Sequence, residues 1–517
     1  MKKFFITTAI DYVNGAPHIG HAYEKIITDV IFRHFKQRAE ETFFLTGADE
    51  HGIKIQKTAK SMGITPQELC DLNVAKFKEA WSELDINYDK YIRTTDEQHK
   101  KTVQKIFEKL LAQGDIYKHS YNGLYCPGCE SFVNAKDLDE NGCCPMHQKP
   151  PEEVSEENYF FKLTKYKDRI IEHIKSNPEF ILPSFRSTEV LNQLYDIEDI
   201  SVSRAKSNVN WGIEVSSDPE QVIYVWIDAL SNYITALGYD PEKGSEGELF
   251  NKFWPANFQV IGKDILKFHS IYWTAILMAL GIKLPEHIFA HGWITINQSK
   301  MSKSVGNTIS PHDILESFEL TEPDALRYFM SVTAMGGKDG NYSDEEFKEH
   351  VNADLANNMG NLLNRTLNML VKYFDGDILE EHVHDSELRK DAAETTDKVK
   401  AHFDKCEITE AAGEIIALVD RANKYVNDKA PWALAKDGNT VECGKVLYSI
   451  LDLMATVAVL IYPYCPNIAA AIAKQLKIDI DTKLGEHIKL TAGKLVNQED
   501  IKPVFLRLDS VFADKSK

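Results

Sequence analysis

Ile10-Asp11-Tyr12-Val13-Asn14-Gly15-Ala16-Pro17-His18-Ile19-Gly20-His21 lies between a short β-like run, Phe4 to Thr8, and a stretch with helical spacing. Tyr23, Ile26, Ile27, Val30, Ile31 and Phe35 recur at helical intervals, which predicts a buried amphipathic helix crowned by His18 and His21. Where a strand turns into a helix, the first backbone amides lack helical partners, and two imidazoles beside them make a place for phosphate. A turn with two surface histidines is the plainer reading of the same residues. A cationic phosphate-binding element elsewhere in the chain would separate the two.

Working outward, the strand and helix rhythm continues to about Ile116, with Thr42 to Gly47 as strand and helices through Lys60 and from Asn73 to Leu84. Strands alternating with helices predict a parallel α/β sheet, in which ligands bind beyond the carboxyl ends of the strands. The His18 turn and Gly47-Ala48-Asp49-Glu50-His51-Gly52 would both lie on that rim. Asp49 there either holds an ammonium group or caps the next helix.

Residues 117 to about 220 break the rhythm. Cys126-Pro-Gly-Cys129 and Cys144-Pro-Met-His147 are two knuckle-like pairs whose spacing lets each clamp one side of a tetrahedral ion. Three thiolates and an imidazole close such a site to water, so the ion would be structural Zn²⁺. A redox pair or unliganded thiols are the alternatives, and Cys143 competes for the bond assigned to Cys144. Cys144 repeats the spacing to His147. Of eight cysteines, the other four are scattered at Cys70, Cys406, Cys443 and Cys465, which is no disulfide framework and points to a reducing, cytoplasmic setting.

The alternation resumes near Gln221. Val222 to Ile227 reads as a strand; later Phe258 to Ile261 leads into Gly262-Lys263-Asp264, and Ile288 to Ala290 into His291-Gly292-Trp293. Trp226, Tyr233, Phe268, His269 and Trp273 form an aromatic set that is usually core. At the strand-end rim it would suit a polarisable thioether side chain. Lys300-Met301-Ser302-Lys303-Ser304 then places two lysines three apart in a polar loop, a cationic clamp for phosphate charge and the missing half of the His18 site.

The last third reads as helical, with Leu355, Met359, Leu362, Thr366 and Leu370 on one stripe and Asn357, Asn361, Asn364, Arg365 and Asn368 on another. A second helix, roughly Glu410 to Asp428, ends at Ala430-Pro431-Trp432. Val446 to Tyr462 approaches membrane-spanning length, but Ser449 and Asp452 interrupt it and Pro463 ends it, so a buried helix is expected. Lys2 and Lys3 before Phe4-Phe5-Ile6 imitate a signal peptide only until Thr7, Thr8 and Asp11. Length, 517 residues, predicts two to four domains, and 43% hydrophobic with 26% charged residues is a globular composition. A net charge of -19 argues against a diffuse grip on nucleic acid while leaving room for local basic clusters among 59 Lys and Arg.

Pro17-His18-Ile19-Gly20-His21 and Lys300 to Ser304, in that order around an inserted region, resemble the class I aminoacyl-tRNA synthetases. Asp11 to Gly15, Gly47 to Gly52, the cysteine knuckle, Tyr224 to Ala229, Gly262-Lys-Asp264 with Phe268-His269, and Ala290 to Trp293 resemble the methionyl branch of that family, over nearly the whole chain. The resemblance implies a Rossmann-like catalytic domain, residues 1–116 and 221–292, split by a zinc-knuckle insertion at 117–220. It also implies a 293–350 region with the lysine loop and stem contacts, and an α-helical anticodon-binding domain at 351–517. ATP, accompanied by Mg²⁺, would be held by His18, Gly20, His21, His291, Gly292, Lys300 and Lys303, of which His18, His21, Lys300 and Lys303 would be catalytic. Methionine would lie against Ile10, Tyr12, Trp226, Leu230, Tyr233, Phe268 and His269, with Asp49 on its ammonium. Asn361, Arg365 and Trp432 would read the anticodon of tRNA(Met), initiator included, and Cys126, Cys129, Cys144 and His147 would hold Zn²⁺. The implied state is a monomer without membrane contact. Another class I synthetase, of cysteine or leucine type, and a non-catalytic tRNA-binding protein on a decayed synthetase fold are the rival readings.

Overall fold

The computed structural model describes residues 3–38, 41–126, 131–133, 138–146, 148–242, 247–299, 308–481, 483–485 and 488–508. Seven strands make the central sheet: β1 (Lys3–Thr8), β2 (Asp11–Tyr12), β3 (Glu41–Asp49), β4 (Lys90–Arg93), β5 (Ile181–Leu182), β6 (Phe258–Gly262) and β7 (His287–His291). β2 and β4 both pair β3, and the sheet continues through β1, β6 and β7 to β5, every pair parallel. All residues of β1 from Phe4 to Thr8 are buried, as expected of a strand covered on both faces. β2 resumes pairing with β3 just beyond β1 and sets Tyr12 opposite Asp49. β5 shows that the stretch 117–220 is not wholly set apart, since Ile181–Leu182 from within it joins the sheet beside β7.

The helices that matter here are α1 (Ile19–Lys36), α2 (Glu97–Ala112), α3 (Val225–Thr235), α4 (Asp324–Val332), α5 (Asn361–Phe374), α6 (Ile408–Lys429), α7 (Pro431–Lys436) and α8 (Thr440–Ile461). The expected apolar stripe of α1 is buried except at half-exposed Phe35, but so is every residue from Ala22 to His34. Its charged side chains are therefore answered by protein. Arg33 donates to Asp29 at 2.6 Å, and Arg327 from α4 donates to the same carboxylate at 2.7 Å. Arg327 also donates to the carbonyls of Leu84, Pro463 and Tyr464 at 3.0, 2.9 and 3.2 Å, tying α1 to the residues that follow α8.

Val222 to Ile227 is not one strand. The central strand of a separate three-stranded antiparallel sheet, Asp218–Ile223, ends there, and α3 begins at Val225. The apolar run hid the change of period: Trp226, Leu230 and Tyr233 repeat at i, i+4 and i+7, the spacing of one helix face. The inserted region is built on a long antiparallel pair, Ile116–Cys126 with Glu152–Phe161.

In the C-terminal third, Leu355, Met359, Leu362, Thr366 and Leu370 are all buried, as their spacing predicts. The first two lie on a π-helical stretch, Asn352–Gly360, that runs into α5. α8 is long and apolar enough to cross a membrane, yet 89% of its apolar window is buried among its neighbours, so it is the core helix of this bundle.

Candidate active site

His18 is the N-cap of α1. Its Nδ1 accepts from the Gly20 amide at 3.1 Å while its own amide donates to Nδ1 of His21 at 3.2 Å, a reciprocal cap in which the two rings stack 3.8 Å apart. Because both Nδ1 atoms accept, each neutral ring carries its proton on Nε2. Two imidazole N–H donors are thus oriented together at a helix start that already favours anions. Gly20 supplies the amide that fixes the first ring.

Behind this turn lies a charge network. Lys25 donates to Asp11 at 2.9 Å, to Glu24 at 3.0 Å and to the Ala9 carbonyl at 3.0 Å. Burial alone would lower the Lys25 pKa, but the two carboxylates outweigh it and hold the ammonium above its ordinary value. Glu24 also accepts from Nε2 of His291 at 3.0 Å and, despite burial, is held below the usual carboxylate range by Lys25 and His291. His291 ends β7, and Gly292 must be glycine: a Cβ there would meet the Lys338 carbonyl oxygen at 2.1 Å. Thus His18, Gly20, His21, His291 and Gly292 gather around one end of α1.

The second part of the rim is aromatic. Trp226 on α3 stacks on Phe268 with centroids 3.7 Å apart and planes 4° from parallel. Phe268 and His269 open a π-helical turn, Phe268–Trp273, a widened turn of the kind that often marks functional sites. His269 donates from Nδ1 to the Ile265 carbonyl at 3.0 Å, so its Nε2 accepts the Tyr233 hydroxyl at 2.7 Å. Burial pushes the His269 pKa down to about 4, which keeps the ring neutral and this tautomer intact. Leu230, Tyr233 and His269 are buried; Ile10, Tyr12, Trp226 and Phe268 are half-buried at the mouth. Asp49 ends β3 opposite Tyr12, and the N-cap of the helix that follows is Gly52, not Asp49.

Lys300 and Lys303 fall outside the described residues. Of the described residues that flank them, Ile294–Ile296 pairs with Gly340–Tyr342, and the Ile309 carbonyl accepts from the Ile19 amide at 2.9 Å, in the first turn of α1.

Of the knuckle, Cys129 and His147 also fall outside the described residues, while Cys126 and Cys144 are both buried. Among the described residues no group of three or more metal-binding side chains stands together. The turn from Asp139 to Cys143 is closed by hydrogen bonds. Asp139 accepts from the amides of Asn141 and Cys143 at 2.9 and 2.8 Å, and the Gln148 amide returns to the Cys144 carbonyl at 2.7 Å. The Cys143 thiol faces the Asn141 carbonyl at 3.8 Å, which leaves Cys144 as the inward thiol.

On the helical bundle, Asn361 is exposed and Arg365 lies one turn further along α5. Arg365 donates to Asn423 of α6 at 2.7 Å, Asn423 donates to Asn358 at 2.5 Å, and Asn358 donates to Asp420 at 2.7 Å. Trp432, at the start of α7, is 45% exposed just after Ala430, whose φ of 45° bends the chain between helices. An exposed indole is suited to stacking an unpaired base, and a guanidinium with amides to reading a base edge.

Three groups escaped the reading of the sequence. Glu24 and Lys25 show only as charges on a helix with no solvent face, and Asp29 with Arg33 only as an i, i+4 pair. Asp228 falls within the Tyr224 to Ala229 stretch, but its pairing is not visible in the sequence, because its partners His51 and His99 are far away along the chain.

A parallel sheet carrying a histidine-capped helix, with a helical bundle after it in the chain, is the architecture of a class I aminoacyl-tRNA synthetase. The family model "tRNA synthetases class I (M)" matches residues 4–150 and 133–367, and "Anticodon binding domain of methionyl tRNA ligase" matches 379–501. The chain is 46% identical over 517 residues to a Methionine--tRNA ligase of Clostridium perfringens, covering 98% of this chain and 78% of that one. Against that of Thermotoga maritima identity is 41% over 519 residues, covering 98% and 81%. A structure of Mycobacterium tuberculosis methionyl-tRNA synthetase in complex with methionyl-adenylate superposes with a TM-score of 0.90 at 36% identity, covering 96% of this chain and 98% of that one. The chain belongs to the methionine--tRNA ligase family.

Proposed function

We propose that the chain activates methionine with ATP, giving methionyl-adenylate and pyrophosphate, and transfers the methionyl group to tRNA(Met), initiator tRNA included. What supports this reading is the reciprocal His18 and His21 cap at the start of α1 together with the Trp226–Phe268 stack and the buried, neutral His269 bonded to Tyr233. The methionine carboxylate attacks the α-phosphate in line, pyrophosphate leaves, and the terminal ribose hydroxyl of the tRNA then displaces AMP. No side chain forms a covalent bond. His18, His21, Lys300 and Lys303 stabilise charge on the phosphates, with Mg²⁺ accompanying ATP as part of the substrate. Gly20, His291 and Gly292 bound the nucleotide. Asp49 takes the ammonium group, and the side chain lies among Ile10, Tyr12, Trp226, Leu230, Tyr233, Phe268 and His269.

Cys126, Cys129, Cys144 and His147 hold one Zn²⁺, which when bound cross-links the knuckle. The inward Cys126 and Cys144 and the tight turn at Asp139 support that assignment. Asn361, Arg365 and Trp432 read the anticodon from the bundle, which is the separate domain beyond the catalytic halves. The enzyme works as a cytoplasmic monomer.

Pyrophosphate exchange with each amino acid tests the reading. Methionine alone supports exchange, and His18→Ala lowers that rate by about 10²- to 10³-fold, the cost of losing one oriented donor to developing charge. Exchange with leucine or cysteine but not methionine, or with no amino acid, overturns it.

A further inference from the structure

Asp228 takes no part in the chemistry above, yet it is a buried carboxylate held by two imidazoles. It is 1% exposed and accepts from Nδ1 of His51 at 2.6 Å and from Nε2 of His99 at 2.7 Å. Both imidazoles are buried as well. Burial alone would push the Asp228 carboxyl up, but the two histidines outweigh it and hold it below the usual carboxylate range, so a negative charge sits inside the protein. Burying an ion is costly, and an apolar residue of the same volume would pack α3 more favourably. What a doubly bonded carboxylate provides and an apolar contact does not is a fixed position, because its bonds are short and directional.

The three groups come from three elements. His51 is two residues beyond Asp49, on the loop that follows β3. That loop is pinned separately, by the Glu50 amide to Thr94 at 3.0 Å and by the Trp211 indole to the Glu50 carbonyl at 2.5 Å. His99 lies on α2 and spans two turns of α3, since its Nδ1 meets the Thr235 hydroxyl at 2.7 Å while its Nε2 meets Asp228. At about 100° per residue, Asp228 and Thr235 share a face of α3 roughly 180° from the one carrying Trp226, Leu230 and Tyr233. The front face packs on the Phe268 turn, through the Trp226 stack and the Tyr233 bond to His269. The back face is gripped by His51 and His99.

We infer that Asp228 is a positioning residue for amino-acid recognition: held by His51 and His99, it locks α3 at a set distance from the Asp49 loop and so fixes the span between the ammonium site and the side-chain pocket. This rests on the methionine-activating function proposed above and names the residues that set its selectivity. A substrate gripped at both ends is sensitive to that span, whereas ATP, held from the α1 side, is not.

The test measures KM and kcat in pyrophosphate exchange for wild type, Asp228→Asn, His99→Gln and His99→Leu. An amide at 228 sets an N–H against one imidazole N–H and breaks one bond. Gln at 99 keeps a donor where Nε2 was, and Leu keeps only bulk. Asp228→Asn and His99→Leu raise the methionine KM by about tenfold with the ATP KM within about twofold, and His99→Gln stays near wild type. An unchanged methionine KM in Asp228→Asn, an equal rise for ATP, or a loss in kcat alone overturns the inference. If Asp228→Asn does not fold, His99→Gln against His99→Leu decides, and equal methionine KM values for the two overturn it. Failure of wild type to exchange with methionine would instead remove the proposed function, which separates the two failures.

Discussion

Two buried helices of this chain are buried for different purposes. The buried residues of α8 between Cys443 and Ile461, which leave out Lys445 and Thr456, are apolar or aromatic apart from Ser449 and Asp452, whereas α1 takes Glu24, Lys25, Asp29, Arg33 and His34 out of water over a similar length. Packing methylenes suffices for α8, each worth about 0.8 kcal/mol. α1 carries ions whose burial costs several kcal/mol apiece unless each is answered. The answers come from elsewhere in the chain: Asp11 and His291 near its N-terminal end, Arg327 and the carbonyls after α8 further down. Charge is buried where it must aim at a ligand or join two domains, and nearly absent where the task is only to make a core.

The largest break of this contrast is Arg327→Met. It leaves Asp29 with Arg33 as its remaining cationic partner and strips the carbonyls of Leu84, Pro463 and Tyr464 of a shared donor. A loss of about 3–5 kcal/mol in urea unfolding is expected; a neutral result would mean the junction is held by apolar packing alone. Next comes acid. The His269 pKa lies near 4 in the folded chain against 6.5 ordinarily, so the stability from its neutral form is whole above pH 6.5 and is lost as pH falls from there towards 4. The full loss is about 3 kcal/mol, and unfolding curves across that range should flatten in His269→Gln. A wild-type slope retained in His269→Gln would assign the titration elsewhere. The smallest effect is in the bundle: Trp432→Ala costs about 1–3 kcal/mol of stacking, seen in tRNA aminoacylation and not in pyrophosphate exchange. Equal loss in both would end the anticodon role of this residue.

Much of the fold was legible. The helical spacing after Pro17, the strand before it and the repeat of that rhythm through Asp49 foretold a parallel sheet, and the structure has one. The stripe from Leu355 to Leu370 and the buried character of α8 were equally plain, because a helix against a core must repeat apolar residues at its own period. Val222 to Ile227 misled because a short apolar run has no visible period, and the change from strand to helix falls inside it.

Of the candidate site, the sequence by itself determined the local parts: the His18 and His21 cap, whose spacing within one helical turn suffices to bring the rings together, and the candidate ligands of the knuckle. Tertiary structure alone decided that Lys25 lies between Asp11 and Glu24, that Arg327 reaches Asp29, and that His51, Asp228 and His99 meet. The physical reason is separation along the chain. A cap or a helix face is made by residues a few positions apart, so periodicity records it. A buried carboxylate gripped by imidazoles from two other elements leaves no trace until the sheet has brought those elements side by side.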